Sequence, residues 1–190
     1  MKLLRKKRVL LVLFIALVTV LFFNSSWMGR WIYPIHYKDV IVKHAKKFEV
    51  DPLLIAAIIR VESNYKLSSE SRKGALGLMQ VMPNTASWVI EKGKFDTVTM
   101  DEVKHEAEPN IQIGAWYIKS LLTKFDNNTY VALAAYNAGP SVVAKWLQND
   151  TWDGKFENVK KIPYGETKNY VQRVVYYYNK YKDLYQNELS

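Results

Sequence analysis

Glu62, followed at once by Ser63, ends the most apolar helical stretch of the chain after residue 50, Leu53-Leu54-Ile55-Ala56-Ala57-Ile58-Ile59. A carboxyl in that position meets two influences that favour its neutral form. One is desolvation by the aliphatic wall, and the other is the negative end of the helix dipole. A carboxyl kept protonated near neutral pH is what a general acid needs. Taken alone, Glu62 reads more simply as a helix-end carboxylate facing water or pairing with Arg60 or Lys66. Its surroundings change that reading. Ser71-Arg72-Lys73-Gly74-Ala75-Leu76-Gly77-Leu78-Met79-Gln80 begins nine residues later, and its glycines permit close backbone approach to a ligand. Met79 and Gln80 would supply an apolar wall and an amide for sugar hydroxyls. Ala134-Ala135-Tyr136-Asn137-Ala138-Gly139-Pro140 sets a phenol and an amide at a helix end. Pro163-Tyr164-Gly165-Glu166-Thr167-Lys168-Asn169-Tyr170-Val171 opens the last helix.

Taken in order, Glu62-Ser63, Gly74-Ala75-x-Gly77-Leu78-Met79-Gln80, Pro109-Asn110-Ile111, Ala135-Tyr136-Asn137-Ala138-Gly139 and Glu166-Thr167-x-x-Tyr170-Val171 resemble the catalytic domain of soluble lytic murein transglycosylases. One of these motifs would be weak, but all of them in the right order are specific. The resemblance covers about residues 38 to 182 and implies an all-α, goose-type lysozyme-like fold. It implies cleavage of the β-1,4 bond between N-acetylmuramic acid and N-acetylglucosamine in peptidoglycan. By that resemblance Glu62 is the acid that protonates the glycosidic oxygen. It then acts as the base that takes the proton from the C6 hydroxyl of the same muramic residue, closing a 1,6-anhydro ring. Ser71 matches the family serine that contacts the muramic N-acetyl group. Met79 and Gln80 match substrate-cleft residues, Tyr136 the active-site tyrosine with Asn137 supporting its turn, and Glu166 and Tyr170 residues that line or brace the cleft. Loop packing is the plain alternative for Met79 and Asn137, and a helix-start carboxylate for Glu166. The family often has a proline and a small residue soon after Glu-Ser. Here the stretch is Asn64-Tyr65-Lys66-Leu67-Ser68, a departure from that pattern on the approach to the glycan.

Ordinary glycosidases place two carboxylates across the scissile bond. Only Glu62 has a catalytic motif around it; Asp51, Glu70 and Glu91 are possible second acids outside any such motif. A substrate that supplies its own nucleophile needs one carboxylate. Two other readings stay open: a goose-type muramidase that uses water, and a non-catalytic peptidoglycan-binding scaffold. The intact Glu62, Ser71 and Tyr136 set argues against the scaffold. No metal or other cofactor is implied. His36, His44 and His105 are scattered, His105-Glu106 lacks the second histidine of a zinc-protease helix, and no phosphate loop or serine elbow is present.

The elements that must position these residues are helices. Lys38 to Phe48 has helical apolar spacing, and Asp51-Pro52 pairs an N-cap with a proline at the first helical position. The pattern predicts helices from Pro52 to about Asn64, Pro83 to Glu91, Pro109 to Phe125, Tyr130 to Tyr136 capped by Thr129, Pro140 to Leu147, and Glu166 to Tyr185. Residues 94–107 are polar and ambiguous, and 149–165 read as a loop. Six or seven helices and no alternating strand predict a mostly α domain.

The chain has 190 residues, is 49% hydrophobic and contains no cysteine. That suits one folded domain, here taken as 38–185 after a connector at 29–37, and excludes disulfides, thiolate metal sites and a lipoprotein cysteine. The net charge is +9. Lys2, Arg5, Lys6, Lys7 and Arg8 supply more than half of it, and no nucleic-acid-binding motif is present. After that basic cluster, Val9 to Phe23 is apolar apart from Thr19. This is the layout of a signal-anchor or export signal, with the following domain outside the cytoplasm. The run makes about 22 Å of helix, short of a hydrocarbon core of about 30 Å. Continuing it through Asn24, Ser25 and Ser26 to Met28 would make an uncleaved anchor over residues 1–28, contacting the membrane through its helix. A cleaved signal would instead leave a secreted protein.

Overall fold

The structure is a computed structural model that describes residues 2–23 and 26–189. It divides into two compact units, Met1–Ile35 and His36–Ser190. The first unit contains α1 (Lys2–Phe23) and α2 (Ser26–Ile32). Apolar side chains of α1 are exposed from Val9 to Phe22. Among the described residues no helix is long and apolar enough to cross a membrane. The expected continuation of the anchor through Asn24 and Ser25 lies outside the described residues. Where a connector was expected at 29–37, α2 runs on as far as Ile32.

The second unit is helical, as its periodicity predicts. Its elements are α3 (Lys38–Phe48), α4 (Pro52–Glu62), α5 (Pro83–Gly93), α6 (Met100–His105), α7 (Ala107–Lys124), α8 (Thr129–Ala138), α9 (Pro140–Gln148), a 3-10 turn (Phe156–Lys161) and α10 (Gly165–Leu189). Among the described residues β pairing is limited to two isolated bridges, Glu70 with Leu76 and Leu76 with Val81.

Helix α4 is the axis of the core. Asp51 caps it by accepting from the Leu53 amide at 2.8 Å, and Pro52 occupies its first turn. Leu53 to Ile59 are all buried, each large aliphatic side chain contributing roughly 1.5–3 kcal/mol. α10 packs along α4 and α8, and α3 lies between α4 and α7. The helix stops at Glu62 because Asn64 and Tyr65 adopt left-handed backbone, with φ of 53° and 62°. The Tyr65 hydroxyl then turns inward and donates to the Ala56 carbonyl at 3.1 Å.

Several local expectations are refined or corrected. The ambiguous stretch contains α6, started by a reciprocal capping box between Thr99 and Glu102. α7 begins at Ala107, ahead of Pro109, which sits in the first turn where its missing N–H costs no helix bond. Asn128, not Thr129, caps α8, accepting from the amides of Tyr130 and Val131 at 3.1 Å each. The 149–165 loop contains the 3-10 turn, and the last helix runs on to Leu189.

Candidate active site

The end of α4, the loop that follows it, the end of α8 and the start of α10 meet at a cleft of about 290 Å³. Glu62 lies on it with Ser71, Gln80, Tyr136, Asn137 and Glu166; Arg72, Lys73, Ala75 and Met82 complete the walls. Larger depressions, of about 450 Å³ around Tyr178 and about 500 Å³ around Val42, contain none of the candidate site residues.

The loop between α4 and α5 is held by its own polar groups. The Ser71 hydroxyl oxygen accepts from the amides of Ala75 (3.0 Å) and Lys73 (3.3 Å), which leaves its proton for a ligand. Gln80 has left-handed backbone, φ 48°, and its amide nitrogen donates to the carbonyls of Ser69 (2.9 Å) and Gly77 (2.8 Å). Its side-chain oxygen is the part left for a ligand. Below the loop sits Asn110, fully buried. It accepts from the Met79 amide at 2.8 Å and donates to the carbonyls of Leu76 (3.0 Å) and Val103 (2.7 Å). Gly77, at φ 69°, lies so close that an added Cβ would fall 2.2 Å from the Asn110 amide nitrogen.

Met79 is corrected by this packing. Its side chain is fully buried and fills the space over Gly114, where an added Cβ would lie 2.3 Å from its sulfur. It is part of the core, and only its carbonyl serves the site, accepting from the Tyr136 hydroxyl at 2.9 Å. The apolar cleft wall expected of Met79 is supplied by Met82, which is 42% exposed. The sequence signal for Met82 was its place directly before Pro83, the first residue of α5. Asn110 stood inside a quoted motif with no role assigned to it.

Tyr170 lies under the cleft. It is buried, and its hydroxyl has no hydrogen-bond partner at ordinary distance. Asn137 joins α8 to α10 by accepting from the Thr167 hydroxyl at 2.7 Å. Glu166 is exposed at the rim, its carboxylate 3.4 Å from the Lys73 ammonium, a pair too solvated to contribute much stability. The three possible second acids are elsewhere. Asp51 caps α4 and accepts from the Tyr178 hydroxyl at 2.6 Å. Glu70 pairs with Lys104 at 3.0 Å and Glu91 with Lys92 at 2.7 Å.

Glu62 keeps some contact with water, but most of its carboxyl is surrounded by protein. Burial pushes its pKa up to about 7, Glu166 adding to the rise, against the nearby Tyr170 phenol and Arg173 guanidinium. Burial and the Glu62 charge in turn push Tyr136 and Tyr170 well above the usual phenol range, so both stay protonated. The cleft therefore holds one carboxyl poised to give and take a proton near neutrality, ringed by neutral donors. Among the described residues no group of three or more acidic, histidine or cysteine side chains could hold a metal ion.

The model of the transglycosylase SLT domain family matches residues 39–159. The soluble lytic murein transglycosylase of Salmonella typhimurium is 34% identical over 148 residues, 76% of this chain and 23% of that protein. The membrane-bound lytic murein transglycosylase C of Edwardsiella ictaluri is 33% identical over 123 residues, 60% of this chain and 34% of that protein. An inactive mutant of the lytic transglycosylase Slt of Pseudomonas aeruginosa superposes with a TM-score of 0.74 at 34% identity, over 80% of this chain and 24% of that one. The 70-kDa soluble lytic transglycosylase in complex with bulgecin A superposes with a TM-score of 0.75 at 31% identity, over 82% of this chain and 25% of that one. The chain thus spans about a quarter of the length of the soluble relatives it matches. The fold agrees with these matches, and the chain belongs to the transglycosylase SLT domain family.

Proposed function

We propose that this chain is a lytic transglycosylase of peptidoglycan, with residues 38–185 as its catalytic domain. The observation that carries the reading is Glu62, a lone cleft-floor carboxyl with its pKa raised to about 7. The name shared by the relatives, lytic murein transglycosylase, supports the substrate class. In this reading Glu62 gives its proton to the glycosidic oxygen as the bond from C1 of N-acetylmuramic acid breaks. The Ser71 hydroxyl donates to the N-acetyl carbonyl of that residue and holds it at the reacting carbon. The Glu62 carboxylate then takes the proton of the C6 hydroxyl as O6 closes on C1. The proton count returns to its start, no water is consumed, and the product ends in 1,6-anhydromuramic acid. Gln80, Asn137 and Met82 hold the sugars; Tyr136 braces the loop through the Met79 carbonyl, and Tyr170 offsets part of the rise in proton affinity that burial gives Glu62.

Glu166 favours a second reading. It is the other carboxylate on the cleft, and a water held by it would make the enzyme a hydrolase. Mass spectrometry of the muropeptides released from purified peptidoglycan by the full-length chain separates the two. Products one water lighter than reducing-end muropeptides, abolished by Glu62→Gln, are expected. Reducing-end products lost with Glu166→Gln would transfer the assignment to a hydrolase, and no cleavage by the folded chain would favour a scaffold.

The N-terminal segment is proposed to hold this domain at the outer face of the membrane. Its basic cluster and the exposed apolar residues that follow support that reading.

A further inference from the structure

Trp27 and Trp31 lie one turn apart on α2 and are 65% and 77% exposed. Met28 is half-buried and Ile32 is exposed. At about 100° per residue, Trp27, Trp31, Met28 and Ile32 fall within an arc of about 140°, and Gly29 and Arg30 lie outside it. The short helix is therefore amphipathic, and two indoles make up most of its apolar face. The ring of Trp27 stands 5.8 Å from that of Phe22, near the end of α1, so the apolar surface of α1 continues into that of α2. Apolar surface of this extent marks a place of contact with a partner.

The chemistry of that face selects the partner. An indole is a large apolar ring with one N–H donor. Such rings collect where lipid hydrocarbon gives way to headgroups, because there the ring is dry and the N–H meets oxygen acceptors. An amphipathic helix lies in that plane with its apolar face toward the acyl chains. The position along the chain agrees. The apolar run of α1 makes about 22 Å of helix against a hydrocarbon core of about 30 Å, so it ends close to a boundary. A short span draws on flanking aromatic anchors, and α2 is the next element. We propose that α2 is an interfacial helix, seated in the outer headgroup zone of the bilayer through Trp27 and Trp31. The proposal rests on the reading of the N-terminal segment as a membrane anchor. α2 ends at Ile32 and α3 begins at Lys38. The residues between them reach at most about 18 Å when fully extended. A seated α2 therefore confines the catalytic unit to glycan near the membrane face.

The test uses the full-length chain reconstituted into vesicles of phosphatidylcholine and phosphatidylglycerol. The chain has no cysteine, so Ile32→Cys takes a single bimane label. Asn149→Cys, exposed at the end of α9, takes the same label as a water-facing control. Nitroxide lipids then place a quencher either at the headgroup or in the middle of the acyl chain. The label at position 32 is expected to be quenched about threefold more by the headgroup nitroxide than by the mid-chain one, and the control by neither. Trp27→Ser combined with Trp31→Ser should abolish the headgroup quenching while the chain stays with the vesicles. Trp27→Phe combined with Trp31→Phe should keep most of it. A label at position 32 that neither lipid quenches, or that the mid-chain lipid quenches more, overturns the proposal, since α2 would then stand clear of the lipid or continue the span. Headgroup quenching that survives the double serine change overturns it too. The anchor reading fails by a different signal, a chain that does not float with the vesicles at all, and the proposal falls with it.

Discussion

Glu62 has to give a proton and take one back within a single turnover, so its proton affinity must lie near the working pH. Its value of about 7 is a balance. Burial and Glu166 raise it, while Tyr170 and Arg173 lower it. The reaction starts from the protonated form, so kcat/KM should fall as pH rises through about 7, by about tenfold per unit beyond it. The neighbours supply the signs for a test by pH–rate profile. Tyr170→Phe and Arg173→Ala each remove a group that favours the carboxylate, so the falling limb should move to higher pH. Glu166→Gln removes a like charge, so the limb should move lower. A limb that stays in place in all three variants would show that another group titrates.

The α4–α5 loop has no regular secondary structure of its own, yet it carries Ser71, Gln80 and Met82 to the cleft. Asn110, from the first turns of α7, ties the loop to α7 and to the end of α6 with three buried hydrogen bonds. Asn110→Ala would leave one buried amide and two buried carbonyls short of that partner, a cost on the order of 3 kcal/mol. Urea denaturation should show this as a lower midpoint. kcat/KM should fall as well, because Ser71 and Gln80 lose their platform, while the pH limb set by Glu62 stays in place. An unchanged midpoint would mean that the loop holds itself and Asn110 is incidental.

The whole chain consists of two compact units with different surfaces. The His36–Ser190 unit buries its own core, whereas α1 exposes a continuous apolar run after its basic cluster. Exposed apolar surface of that extent needs a partner, and the charge before it suits the cytoplasmic side of a membrane. The full-length chain should stay with membranes after an alkaline carbonate wash, and a chain lacking residues 1–35 should not. Release of a chain with a shortened N-terminus would instead identify the segment as a cleaved signal.

Helix positions, the Asp51-Pro52 start and the placing of Glu62 at the end of the most apolar helix were legible from the residues alone. Each depends on signals within a few positions: apolar period, caps, and proline or glycine at a boundary. The family resemblance was legible for a similar reason, since its motifs keep their order along the chain. The site's finer arrangement was not legible, because it depends on groups far apart in sequence. Met79 and Met82 are both apolar and three residues apart. The left-handed turn at Gln80 and the space above Gly114 sent the first into the core and left the second on the cleft wall. Asn110 finds its Met79 and Leu76 partners more than thirty residues away. The Tyr170 phenol reaches Glu62 only because α10 packs along α4. Local sequence specifies which elements form; burial, proton affinity and the shape of a groove are properties of how those elements pack.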